Sequence, residues 1–359
     1  MSKRILIHIG PPKSGTSAIQ YALHHNRGLL RSNGVEYPEH EIGSNGISSG
    51  NLTSILSLDV SGKWYVCENK VNELITSFEQ SEANTLLLSS EYFFYLVKEI
   101  ASKVPSAQFI AYIRCPLETF ESSYNQSVKR HGRTTPATFS QNLHTTTLNI
   151  LTEMIENVGR KRFLLRAYLP ASDGEFNLVE DFLNASNLPL LTSVKKVTNS
   201  SYTFEALEFK RWLNQFELLE FDASIDQALQ AYENGRSTFS LLPESLSERY
   251  QKQALHTVRD FVQIHKVFNG RRLVNYLKYR SLQEFKAQTL TDNQLSEICG
   301  YLAEQYPKLF TDIYQKLSKA DLQLIANNER VALIASLQVN RRSILSRLKT
   351  VFLKKNNSL

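Results

Sequence analysis

The stretch from Ile5 to Gln20 constrains the fold more than any other part of the chain. Ile5-Leu6-Ile7-His8-Ile9 is an apolar, β-branched run of the kind that forms a buried strand. Gly10-Pro11-Pro12 ends it. Lys13-Ser14-Gly15-Thr16-Ser17 then opens a helix that continues through Ala18, Ile19, Tyr21, Ala22 and Leu23. A strand, a tight loop and a helix N-terminus in succession make an anion site, because unspent backbone N–H groups and the helix dipole both favour negative charge there. Gly15 permits close backbone approach, Thr16 and Ser17 add hydroxyls, and Lys13 adds a point charge. The loop suits a phosphate or sulfate group. It is not a Walker A loop, in which Lys follows the last Gly directly. Here Lys13 comes two residues before Gly15. Taken alone, the segment also fits an ordinary strand-to-helix turn capped by Ser and Thr.

A second segment favours the anion site. Gln108-Phe109-Ile110-Ala111-Tyr112-Ile113-Arg114 reads as another apolar strand, ending in a cation. Arg114 stands where open α/β sheets bind ligands, at a strand's C-terminal end. After Cys115-Pro116 a helix carries Ser122, Ser123, Tyr124, Asn125, Gln126 and Lys129. An Arg fork with a hydroxyl eight residues on suits a terminal phosphate.

Pro12-Lys13-Ser14-Gly15-Thr16-Ser17 resembles the 5′-phosphosulfate loop of sulfotransferases that use 3′-phosphoadenylyl sulfate (PAPS). Tyr112-Ile113-Arg114 with Ser122 resembles their 3′-phosphate motif. The strand and loop, and Tyr124-Asn125-Gln126 with Lys129, are similar to bacterial sulfotransferase-like proteins. The resemblance spans residues 1–210. It implies a P-loop-related fold, with Ser14, Gly15, Thr16 and Ser17 holding the 5′-phosphosulfate. Lys13 would contact the bridging oxygen, and Arg114 and Ser122 would hold the 3′-phosphate. Cytosolic small-molecule members usually carry a Trp that stacks on adenine after this loop; here that place is Ala18.

Sulfuryl transfer needs anion positioning, charge stabilisation at the leaving oxygen and a base for the acceptor proton. Thr85-Leu86-Leu87-Leu88-Ser89-Ser90-Glu91 is an apolar run ending in a carboxylate, followed by Tyr92, Phe93, Phe94 and Tyr95. A carboxylate partly desolvated by aromatics becomes a better base near neutrality. Carbohydrate sulfotransferases place a Glu base similarly, so Glu91 and Lys13 are the expected catalytic pair; capping of the next helix is the other reading of Glu91. The His-Leu-Pro context of small-molecule members is missing. His24 and His25 read as helix C-terminal dipole partners, His8 as a packed residue, and His131 as a loop residue able to reach an acceptor.

Three separated cysteines, Cys67, Cys115 and Cys299, show no metal-ligand spacing and read as reduced thiols. No metal is expected. No apolar run is long enough to span a membrane and no signal segment precedes the first strand, so a cytoplasmic protein is expected. The net charge of +6 resides in the tail. Residues 330–359 hold seven basic and no acidic residues, leaving 34 basic against 35 acidic elsewhere. Nucleic acid is therefore not an expected partner. Ile344, Leu345, Leu348, Val351 and Phe352 alternate with the tail's cations, a pattern suited to peripheral contact with an anionic membrane.

The fold class expected is α/β: three layers around a central parallel sheet, a phosphosulfate loop, and a helical C-terminal region. The division expected is a PAPS-binding core at 1–210, a mainly helical region at 211–329 and a basic amphipathic tail at 330–359. Gly28 to Gly62 reads as a loop-rich insertion, Arg162 to Tyr168 as a further strand, and Asn177 to Leu183 as a helix. Lys195 to Ser201 reads as a loop near the nucleotide, or as a helix cap by Ser201 or Thr203. The function expected is transfer of a sulfuryl group from PAPS to a hydroxyl of a carbohydrate or glycolipid. The alternatives are a P-loop-type small-molecule or nucleotide kinase, and a non-catalytic nucleotide-binding module.

Overall fold

The computed structural model describes residues 3–41, 48–170, 176–191 and 201–337. Its strands are β1 (Arg4–His8), β2 (Val35–Glu36), β3 (Leu56–Leu58), β4 (Trp64–Val66), β5 (Thr85–Ser89), β6 (Gln108–Ile113) and β7 (Phe163–Ala167). Five of them form one parallel sheet in the order β2-β5-β1-β6-β7, while β3 and β4 form a separate antiparallel hairpin. The class is thus α/β with a central parallel sheet. The strands of such a sheet are covered on both faces, which is why β1, β5 and β6 read as nearly continuous apolar runs. Leu6, Leu87, Ile110 and Tyr112 share a core with Ile19 and Leu23 of the helix Thr16–His25 and with Phe182 and Leu183 of the helix Leu178–Ala185. The alternating set Ile5, Ile7, Leu86, Leu88, Phe109 and Ala111 is equally buried.

Residues 28–62 are not simply an insertion. Val35 and Glu36 add β2 to the sheet edge beside Thr85 and Leu86, and Leu56–Leu58 starts the hairpin. The expected helix after β7 is present at Leu178–Ala185, with the Asn177 side chain accepting from the amides of Val179 and Glu180.

The chain divides into two compact units that do not follow a linear cut. One comprises residues 1–120, 140–197 and 245–281, and contains the whole sheet. The other comprises residues 121–139, 198–244 and 282–359. The second unit is helical among its described residues. Trp212, Phe209, Ile225, Ile298, Leu302 and Phe310 are buried in it, and Thr203 caps the helix Phe204–Leu213 by accepting from the Ala206 amide. Arg330, expected as a tail cation, is instead buried, donating to Thr289 Oγ1 at 3.3 Å and the Leu290 carbonyl at 3.2 Å. The amphipathic stretch Arg341–Lys355 and residues 195–200 of the expected nucleotide loop lie outside the described residues. Among the described residues, no helix is long and apolar enough to cross a membrane.

Candidate functional site

The order of strands locates a ligand crevice before any side chain is considered. From β1 the chain moves outward toward β2, and from β6 it moves the other way toward β7. β1 and β6 are neighbours, so the switch in direction falls between their C-terminal ends, where open sheets bind ligands. The loop Gly10–Gly15 leaves one of these ends, and Arg114 leaves the other.

The loop is held in a tight, partly left-handed course. Gly10, Lys13 and Gly15 have φ of 42°, 66° and 86°. A Cβ at Gly10 would stand 2.3 Å from Thr16 Oγ1, and one at Gly15 would stand 2.2 Å from a Leu178 methyl. Ser14 is buried and spends its hydroxyl proton on the Pro11 carbonyl at 2.5 Å. The Ser14 amide bonds that same carbonyl at 3.1 Å. The amides of Gly15, Thr16 and Ser17 find no backbone acceptor among the described residues. Thr16 Oγ1 is buried without a hydrogen-bond partner there, and Ser17 is exposed. Gly15 precedes the helix without any side-chain cap. The helix N-terminus therefore keeps its donors and its positive end for an external anion.

Arg114 ties the two segments together. Its Nη1 donates to the Lys13 carbonyl at 2.7 Å, its Nε pairs with Glu118 Oε2 at 3.1 Å, and its guanidinium lies 4.8 Å from the Tyr168 ring centroid. Glu118 is steadied in turn by the Tyr276 hydroxyl. Burial pushes the Lys13 ammonium below its ordinary value, the Glu91 charge raises it, and the Arg114 charge lowers it again. Lys13 thus lies within electrostatic reach of both Glu91 and Arg114.

Glu91 begins the short helix Glu91–Leu96 but does not cap it. The Ser90 hydroxyl takes that role, accepting from the Tyr92 amide at 3.2 Å. Glu91 is exposed, so the desolvation expected from the aromatic cluster is not seen. Phe93 and Phe94 turn inward, while Tyr92 and Tyr95 face solvent beside it. What fixes Glu91 is the end of β5. Buried Asn51 acts there as a substitute strand: its Oδ1 accepts from the Ser89 amide at 2.8 Å and its own amide donates to the Ser89 carbonyl at 3.2 Å.

Ser122 and His131 belong to the second unit, as does Lys129, whose ammonium pairs with Asp226 at 3.4 Å and lies over the Tyr202 ring. Cys115 is a packed thiol, pushed up to about 11 by burial and then by Glu118. His24 and His25 occupy the last turn of their helix. His8 is packed, with Nδ1 2.9 Å from Ser89 Oγ. Sequence reasoning missed Glu118, Tyr276, Tyr168 and Asn51. Only Glu118 left a signal, four residues after Arg114 on one helix face. Compared with family models, curated proteins and solved structures, the chain finds no match.

Proposed function

We propose that the protein is a PAPS-dependent sulfotransferase acting on a hydroxyl of a carbohydrate or glycolipid. One observation carries the reading: the unspent amides of Gly15, Thr16 and Ser17, the Lys13 loop and the Arg114 that bonds its carbonyl all stand at the switch point of a parallel sheet. The resemblance of the loop and of the Arg114 segment to the PAPS motifs supports the choice of ligand. The 5′-phosphosulfate lies on the loop amides and the Thr16 and Ser17 hydroxyls, and Arg114 takes the 3′-phosphate. Glu91 accepts the acceptor's proton as the hydroxyl oxygen attacks sulfur. The bond from sulfur to the bridging phosphate oxygen breaks, Lys13 stabilises the charge growing there, and adenosine 3′,5′-bisphosphate leaves.

Calorimetric titration with adenosine 3′,5′-bisphosphate, and separately with ATP and Mg²⁺, tests this. The bisphosphate binds in the micromolar range and ATP much more weakly. Arg114→Ala weakens the bisphosphate by at least about tenfold, in line with ~1.5–3 kcal/mol for a charged hydrogen bond. Arg114→Lys does not restore it, because a lysine lacks the planar fork. A preference for ATP with Mg²⁺ would replace the reading with a kinase. Binding of neither overturns it. Ser122→Ala in the same titration is the separate test of the role expected for that hydroxyl.

A further inference from the structure

Beside Glu91, the first unit carries an aromatic surface that the anion site does not use. The Trp64 and Tyr92 rings meet edge to face with centroids 6.0 Å apart. Tyr92 is 42% exposed, Tyr95 is 64% exposed, and Leu58, opposite Trp64 in the β3–β4 ladder, is 53% exposed. The supports under these side chains are fixed. The Val66 amide donates to Glu99 Oε1 at 3.3 Å, the Cys67 amide donates to the Ile55 carbonyl at 2.9 Å, and Phe93 and Phe94 are fully buried.

The choice of side chains narrows the occupant. In Tyr92-Phe93-Phe94-Tyr95 the residues without a polar tip go inward and those with one stay outside. Exposed Tyr92 and Tyr95 and half-buried Trp64 offer flat apolar faces and hydrogen-bonding edges at little conformational cost. A pyranose ring has the matching form, a C–H face rimmed by hydroxyls. Leu58 continues the surface with an aliphatic contact suited to a hydrocarbon aglycone. Burial, and then the Glu91 charge, raise the Tyr95 hydroxyl above its ordinary value, so it remains a donor. Glu91 directly precedes Tyr92 in sequence and lies within electrostatic reach of Tyr95.

We propose that Trp64, Tyr92 and Tyr95, extended by Leu58, form an acceptor subsite that stacks a pyranose ring bearing an apolar aglycone and presents a ring hydroxyl to Glu91. The role of Glu91 in this rests on the sulfotransferase reading; the binding of the glycoside does not.

The chain has two tryptophans, and Trp212 is only 2% exposed. Acrylamide quenching of emission therefore reports on Trp64, read in Trp212→Phe or as the difference between wild type and Trp64→Phe. The probes are octyl β-glucoside, octyl β-galactoside and octyl β-mannoside below their micelle concentrations, with methyl β-glucoside and octanol alongside. At least one octyl glycoside protects Trp64 saturably, at least tenfold more tightly than methyl β-glucoside or octanol. Tyr92→Ala weakens that protection at least tenfold. Protection by no glycoside, equal protection by octanol, or protection indifferent to Tyr92→Ala overturns the subsite. Bisphosphate binding without glycoside binding removes the subsite and keeps the sulfotransferase reading; the reverse removes that reading and keeps a sugar-binding surface.

Discussion

At the scale of single residues, the site depends on backbone that only certain residues accept. Gly15 combines a left-handed φ of 86° with a neighbour 2.2 Å from where a Cβ would lie. Gly15→Ala should destabilise the protein by ~1–3 kcal/mol and weaken bisphosphate binding, since the amides at the helix start must shift to relieve the clash. Urea denaturation and calorimetry check the two effects separately. Beneath the loop, His8 makes a different demand. Burial pushes its ring from 6.5 down to about 3. The unfolded chain takes up this proton near 6.5, whereas the folded chain resists until about 3. The neutral ring's share of stability is therefore complete above pH 6.5 and is lost as the pH falls through that window, with an upper bound on the order of 5 kcal/mol. His8→Gln keeps a partner for Ser89 without the titration. Its urea midpoint should change less between pH 7 and pH 4.5 than that of the wild type; equal slopes would assign the acid sensitivity to other groups.

At the scale of elements, the strands that frame the crevice were legible because burial on both sheet faces leaves a continuous apolar run. This is why β1, β5 and β6 stand out, and why Lys13, Glu91 and Arg114 can be placed at strand ends. β2 was not legible, since Val35 and Glu36 are too short a pair to carry a period and are recruited by the edge of β5. The desolvation expected at Glu91 failed for a related reason: an aromatic run does not say which rings turn inward. Asn51 was hidden too, because a side chain that replaces a strand partner has no pattern in sequence. Its role can be measured. Asn51→Ala leaves the buried Ser89 amide without its 2.8 Å acceptor, and an unsatisfied buried donor costs ~1–3 kcal/mol. The loss should appear as a lower urea midpoint. Because the same bond fixes the strand end that carries Glu91, the sulfuryl transfer proposed above should fall in kcat more than in donor affinity. An unchanged kcat would leave Asn51 a purely structural residue.

At the scale of the whole molecule, the resemblance to PAPS enzymes spans residues 1–210, yet the unit that holds the sheet also takes in residues 245–281. That later segment completes the edge of the sheet. The Phe268 amide donates to the Leu165 carbonyl at 2.9 Å, and the Ala167 amide donates to the Phe268 carbonyl at 3.0 Å. Arg160 donates through Nε to the His265 carbonyl at 2.6 Å and through Nη2 to the Lys266 carbonyl at 3.2 Å. Tyr276 supplies the hydroxyl that steadies Glu118, and through it Arg114. A fragment ending at residue 210 would expose the β7 edge, strand the Arg160 guanidinium and release Glu118. It should give a poorly dispersed amide spectrum and no bisphosphate binding, while the full chain under the same conditions gives a dispersed spectrum and binds. Tyr276→Phe in the full chain separates the contributions. It leaves the sheet edge intact, so folding should persist, and bisphosphate affinity should drop severalfold as Glu118 loses its brace. A folded, ligand-binding 1–210 fragment would mean that the later segment decorates the sheet rather than completes it.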